Sequence, residues 1–175
     1  RGRKLLLLTE RTDHLLTMQA KLEAKLQPPQ PSQPPQQPVT EHTAASDPLV
    51  LHGRMKKAER RVVLERLQAL PPAQPRILLA TGKLIGEGFD HAPLDTLILA
   101  MPISWKGTLQ QYVGRLHREH DGKTDILVID FIDRSHPSLL RMWNKRQAGY
   151  KAMGYQMVKM NSPAGHTLPN LQLDL

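Results

Sequence analysis

The chain has 175 residues, a formal net charge of +8 and a sequence pI near 10.0. That length suffices for one domain with a sizeable core, the charge favours a polyanionic partner, and the absence of cysteine excludes a disulfide framework or a thiolate metal site. With only 2 Trp, 3 Tyr and 2 Phe, the core must be mostly aliphatic.

Arg1-Gly2-Arg3-Lys4 runs straight into an apolar stretch with no initiator Met, which reads as a piece cut from something longer. Leu5 to Leu8 is a buried strand, far too short for a membrane span or a signal-peptide core, so a soluble, cytoplasmic protein is expected. An amphipathic helix follows, with Leu15, Met18, Leu22 and Leu26 on one stripe. Residues 27–48 are rich in Pro and Gln, cannot form a core, and read as a flexible, solvated insertion. A short strand at 49–53 leads to a basic helix at 55–70, whose Lys56, Lys57, Arg60, Arg61 and Arg66 form a solvated face and which Pro71, Pro72 and Pro75 end. Strands at 76–80, 94–100 and 125–131 alternate with a Gly-rich connection at 81–90 and a helix at 111–118; Pro137 opens a last helix. Wholly apolar strands alternating with helices predict an α/β, doubly wound, mainly parallel sheet covered on both faces. In such sheets ligands gather at the carboxyl ends of the strands.

Two stretches carry chemistry. In QYVGRLHR (111–118), helical spacing puts Gln111, Arg115 and Arg118 within a sector of roughly 60°, with Gly114 beside them. Leu109, Tyr112, Val113 and Leu116 face the other way. Arginine forks suit phosphate oxygens, although a solvated charged face has the same spacing. In TGKLIGEGFD (81–90), glycines let backbone N–H groups approach an oxyanion and Thr81 adds a donor. Asp90 is suited to accept from a ribose hydroxyl, although a lone Asp before a turn is more often only a turn residue.

The nucleotide cradles fail on inspection. Gly82-Lys83 lacks the earlier Gly of a P-loop, since position 77 is Ile, and Leu84 stands where Ser or Thr is needed. Gly86-Glu87-Gly88 is too short for a dinucleotide fingerprint. Asp130 and Asp133, with no P-loop upstream, read as strand-end and helix-entry residues, and no metal-ligand cluster is visible. The chain thus has phosphate-suited arginines without a phosphate cradle, as expected of a lobe that closes onto a nucleotide held elsewhere.

Taken in order, LLLLTERTDHLLTMQAKL, LVLHGRM, ILLATGKLIGEGFDHAPLDTLILAMP, QYVGRLHREHDGKTDILVIDFID and KRQAGYKAMGY resemble the second, C-terminal RecA-like domain of superfamily 2 helicases (DEAD/DEAH-box), nearest the DNA-repair and type III restriction branch. ATGKLIGEGFD resembles that family's motif V and QYVGRLHR its motif VI. The resemblance spans residues 4 to about 155 apart from the insertion, implying a RecA-like domain over 1–155 and a tail over 156–175.

The resemblance implies that Arg118 is an arginine finger on the ATP γ-phosphate and Arg115 a second γ-phosphate contact or a link to the first lobe. Gln111, Gly114, Gly88 and Asp90 are implied on the ATP side. Thr81, Gly82, Lys83, His52 and Gly53 are implied on the nucleic-acid side. His117 is given no role. ATP and Mg²⁺ would be bound mainly by a first, N-terminal RecA-like lobe, whose motifs this chain lacks, so alone it is expected not to hydrolyse ATP. The implied polymer is DNA, with RNA as the other candidate. The alternative from a different class is a non-catalytic nucleic-acid-binding or scaffolding module that keeps the fold and binds through its basic helices.

Overall fold

The computed structural model describes residues 2–26, 47–86, 89–101, 103 and 109–159, with Lys83 placed by its backbone. Most of the Pro/Gln-rich stretch, residues 27–46, and most of the tail, 160–175, lie outside these residues. Five strands, β1 (Lys4–Thr9), β2 (Leu49–Leu51), β3 (Arg76–Thr81), β4 (Thr96–Leu99) and β5 (Leu127–Asp130), alternate with helices α1 (Thr12–Leu26), α2 (Lys57–Ala69), α3 (Gly82–Gly86), α4 (Gln110–Leu116) and α5 (Pro137–Ala152). The sheet runs β2-β3-β1-β4-β5 and every pairing is parallel. This is the parallel, doubly wound arrangement expected from the alternation of apolar runs and helices.

Because side chains alternate across a strand, the Leu run of β1 serves both faces. Leu6 and Leu8 join Leu78, Ala80, Leu97 and Leu99 in the larger core, which Leu67 of α2, Ile85 of α3, Tyr112, Val113 and Leu116 of α4 and Tyr150 of α5 complete. Leu7 and Leu79 pack on the opposite face with Leu15 of α1. Of the stripe expected on α1, Leu15 is buried, Met18 and Leu22 are partly buried against that cluster, and Leu26 is 38% exposed. The apolar face anticipated for α4 is buried at Leu109, Tyr112, Val113 and Leu116.

Two of the differences from the sequence reading bear on the candidate site. Residues 82–86, expected as open connection, form the short helix α3, because Leu84 and Ile85 can reach the core only if the chain coils directly off β3. Helix α4 stops at Leu116, so His117 is its C-cap and Arg118 stands just beyond the helix.

The amino-terminal edge of the sheet is closed by ion pairs. Arg3 forks onto Asp125 through Nη1 and Nη2 at 2.8 and 2.6 Å, while the Asp95 carboxylate accepts from the Lys4 backbone N–H and the Thr96 hydroxyl. Arg76 is 2% exposed. Its guanidinium donates to the carbonyls of Gln74 and Pro71 and to His91 Nε2 at 2.9 Å. Since arginine can only donate, His91 must accept there in its neutral form, and burial beside that cation brings the imidazole down to about 4. An unfolded His91 protonates near 6.5, so the folded state binds fewer protons between those values. Stability is therefore expected to fall as pH drops from about 6.5 to about 4. Urea titrations across that range should show the slope flatten in His91→Gln.

Candidate functional site

The carboxyl edge of the parallel sheet differs from the amino edge in its chemistry. There β1 runs into Glu10, β2 into Gly53 and Arg54, and β3 into Gly82, around an open cleft of about 520 Å³. Thr81, Gly82 and Gly53 line this cleft together, joined by Glu10, Arg54 and Tyr112, which the sequence did not single out for it. Tyr112 was read as a core residue. Its ring is buried at 2% exposure, yet it also forms part of the cleft wall, and burial raises its phenol above the usual range. His52 does not line the cleft. It is half-buried, its backbone N–H donates to Met55 Sδ at 3.4 Å, and it starts the turn that presents Gly53. The Lys83 backbone lies in α3, and Gly88 is outside the described residues.

Gly82 owes its identity to a close approach. A Cβ there would sit 2.7 Å from the Tyr112 hydroxyl and 3.1 Å from Met101 Cε. Gly82→Ala should therefore push α4 away from β3 and destabilise the domain by about 1–3 kcal/mol, as overpacking does. Adding Tyr112→Phe removes the clashing oxygen and leaves a 3.5 Å contact to Cζ and the 3.1 Å contact to the flexible end of Met101, which can shift. Thermal unfolding of the single and double variants should show recovery in the double.

The second group forms around α4. Gln111 and Gly114 are exposed, Arg115 is half-buried, and a Cβ at Gly114 would meet nothing within 4 Å. Arg118 lies past the helix end and is 52% exposed at its side chain, where Nη1 pairs with the Asp90 carboxylate. The two acidic and basic residues singled out from separate motifs are thus in direct contact. They belong to a different place from the cleft that holds Thr81, Gly82 and Gly53.

Three further side chains organise this region without having been marked in the sequence. Lys123 Nζ donates to the carbonyls of Ala92, Leu116 and Arg118 at 2.7, 2.9 and 2.7 Å. His117 Nε2 meets the Tyr155 hydroxyl at 2.9 Å, the rings edge to face at 5.6 Å, and burial lowers the imidazole below its usual range. Arg146, 2% exposed, holds Asp130 through Nε and Nη2 at 2.7 and 3.0 Å and donates Nη1 to Ile103 O at 2.6 Å. The only sequence signals were a Lys after Gly122, a charged residue in an amphipathic helix, and a Tyr past its end; none of these distinguishes a structural partner from a solvated group.

Asp130 and Asp133 do what their positions suggested. Asp130 ends β5 and accepts from Arg146 and Tyr150. Asp133 accepts from the Ser135 backbone N–H at 2.9 Å in the turn before α5. Among the described residues no group of three or more His, Asp or Glu could hold a metal ion. No helix among them is long and apolar enough to cross a membrane.

Residues 39–120, which contain both candidate motifs, match the model of the family described as "helicase conserved C-terminal domain". The chain is 36% identical over 99 residues to uncharacterized protein 108L of Invertebrate iridescent virus 3, covering 57% of this chain and 89% of that protein. It is 30% identical over 86 residues to probable helicase D10 of Escherichia phage T5, covering 49% of this chain but only 19% of that much longer protein. In fold it is similar to the C-terminal domain of the DEAD-box protein Dbp5, with a TM-score of 0.55, 14% identity, and coverage of 87% of this chain and 71% of that one. Residues 39–120 are thus similar to the helicase conserved C-terminal domain family, and the parallel sheet that carries them has the RecA-like fold seen in the C-terminal domain of a DEAD-box protein.

Proposed function

We propose that this chain is the second motor lobe of an ATP-dependent nucleic-acid helicase or translocase. The observation that carries the reading is the contact between Arg118 and Asp90: an exposed guanidinium at the end of α4, held ready by a carboxylate from the other motif. Beside it Gln111 and Gly114 are exposed on α4 and Arg115 is half-buried, a donor-rich face. Such a face fits a polyphosphate presented by another surface, since guanidinium forks complement its oxygens and Gly114 leaves room for close approach. ATP, with Mg²⁺ held by a first lobe, would supply the phosphoryl group for transfer. Arg118 would then serve the γ-phosphate with Arg115 as its support, and Asp90 and Gly88 would lie on the ATP side, Asp90 near the ribose or the attacking water.

The cleft at the carboxyl edge would hold the polymer. Thr81 donates a hydroxyl, and Gly82 and Gly53 offer backbone without side-chain obstruction. Lys83, next along α3, would add charge to that track. His52 supports the Gly53 turn. Because α3 follows β3 directly and packs with α4 in one core, polymer and nucleotide would act on adjoining elements. The lobe would comprise 1–155, with 156–175 as its tail, and DNA is the proposed polymer. The reading is tested by titrating single-stranded DNA, and separately RNA, into the full-length two-lobe protein while following ATP turnover. Stimulation by one polymer supports it and names the track; a protein that binds the polymers without any turnover supports the scaffolding alternative.

A further inference from the structure

Helix α4 ends abruptly at Leu116, and a helix end leaves carbonyl oxygens that need donors. The backbone N–H of the C-cap His117 meets the Arg115 carbonyl. Gly122, at φ 80°, reverses the chain after Arg118, and Lys123 comes back beneath the helix end. An ammonium group has three N–H donors and no acceptor. All three are spent on backbone: Leu116 O at 2.9 Å, Arg118 O at 2.7 Å and Ala92 O at 2.7 Å.

The identity of those acceptors matters more than their number. Leu116 is the last residue of α4, Arg118 is the candidate finger itself, and Ala92 stands two residues after Asp90. One side chain therefore pins the main chain on both sides of the Arg118–Asp90 pair. Arg118 lies outside the regular helix, where its backbone has no continuing ladder to fix it; besides its own N–H to Arg115 O at 3.4 Å, the Lys123 contact is what holds its carbonyl.

We propose that Lys123 is a positioning residue for the arginine finger, setting where the Arg118 guanidinium is delivered without itself touching nucleotide. The proposal rests on the reading of Arg118 as that finger. A displacement of about 1 Å in a catalytic group can cost about 100-fold in rate, so the loss of this anchor should appear in turnover rather than in binding.

The test compares wild type, Lys123→Met, Arg118→Ala and the double variant in the full-length protein, measuring kcat and KM for ATP with single-stranded DNA present, DNA affinity, and Tm. Lys123→Met should lower kcat by about 10- to 100-fold while KM and DNA affinity stay within about twofold. The double variant should turn over no more slowly than Arg118→Ala, because a residue that works through Arg118 has nothing left to position. Lys123→Arg, which keeps a charged donor, should restore most of kcat. A purely structural role would instead lower Tm and leave kcat per folded molecule unchanged. Should the Met variant not fold, Lys123→Gln, with two donors, carries the same comparison with a severalfold loss. Unaltered kcat in a folded Lys123 variant, or a double variant a further tenfold below Arg118→Ala, overturns the proposal alone. Wild-type turnover in Arg118→Ala overturns the finger reading and the proposal with it.

Discussion

Asp130→Ala is expected to destabilise the domain by about 3–5 kcal/mol, because it strands a guanidinium that is 2% exposed. In the native state that charge is compensated on several sides: Arg146 forks onto Asp130, donates to Ile103 O, and lies 5.8 Å from the Trp143 ring. Tyr150 adds a bond to the same carboxylate at 3.1 Å, and burial together with that negative charge raises its phenol, so the hydroxyl remains a donor. These contacts tie α5 to β5 and to the segment that follows β4. For a domain of this size the loss corresponds to a fall in Tm of about 6–20 °C. Replacing the pair together, Asp130→Leu with Arg146→Met, should recover much of that loss, since an apolar substitute leaves no charge unpaired. Calorimetry on the two singles and the double measures this directly. Additive losses in the double would mean that the pair is not the interaction that matters.

Arg118→Ala is the second large effect, and it falls on turnover. An arginine finger is worth about 10³–10⁵ in phosphoryl transfer, because it supplies charge where the transition state develops it. Arg118 and Asp90 are 52% and 49% exposed at their side chains, so their mutual attraction contributes little to stability. Removing the guanidinium should therefore leave Tm within about 1–2 °C of wild type while ATP turnover collapses. Arg118→Lys should fall nearly as far, since a point charge does not reproduce the planar fork. A variant that loses turnover only because it unfolds would show it in Tm.

The elements of the fold were largely legible because each strand is an unbroken apolar run and each run is separated by polar or Pro-rich sequence. The β1 run and the 76–80 run became neighbouring central strands with Leu6 opposite Leu78. What the pattern could not show was the use of charge inside the fold. Lys123 and Arg146 occur in sequence among polar neighbours and Arg76 opens a strand beside Pro75, as solvated residues do, yet each is turned inward onto carbonyls or a carboxylate. Their partners lie 16 residues away for Arg146 and Asp130, and 31 for Lys123 and Ala92, separations that carry no periodic signal. The coiling of residues 82–86 was hidden for a different reason. Glycines at both ends read as a loop, whereas Leu84 and Ile85 gain more from burial than the glycines cost in helix propensity.

The candidate site was legible in part. Spacing on α4 separated the buried face from Gln111, Gly114 and Arg115, and both candidate motifs were recognisable as stretches. Their contact through Asp90 and Arg118 spans 28 residues and arises only because α3 and α4 pack in one core. The contribution of Tyr112 to the cleft was masked by its place on the apolar face of α4, where a phenol at helical spacing looks like any other core residue.

Whether this lobe completes an ATPase is measured most directly by steady-state ATP turnover of the full-length protein with and without single-stranded DNA, wild type beside Arg118→Ala. Turnover that rises with DNA in the wild type and drops by about 10³-fold or more in the variant, with both proteins equally folded, is the predicted result. Equal turnover in the two proteins, or none in a wild type that binds DNA, would contradict it and return Arg115 and Arg118 to the role of a charged surface.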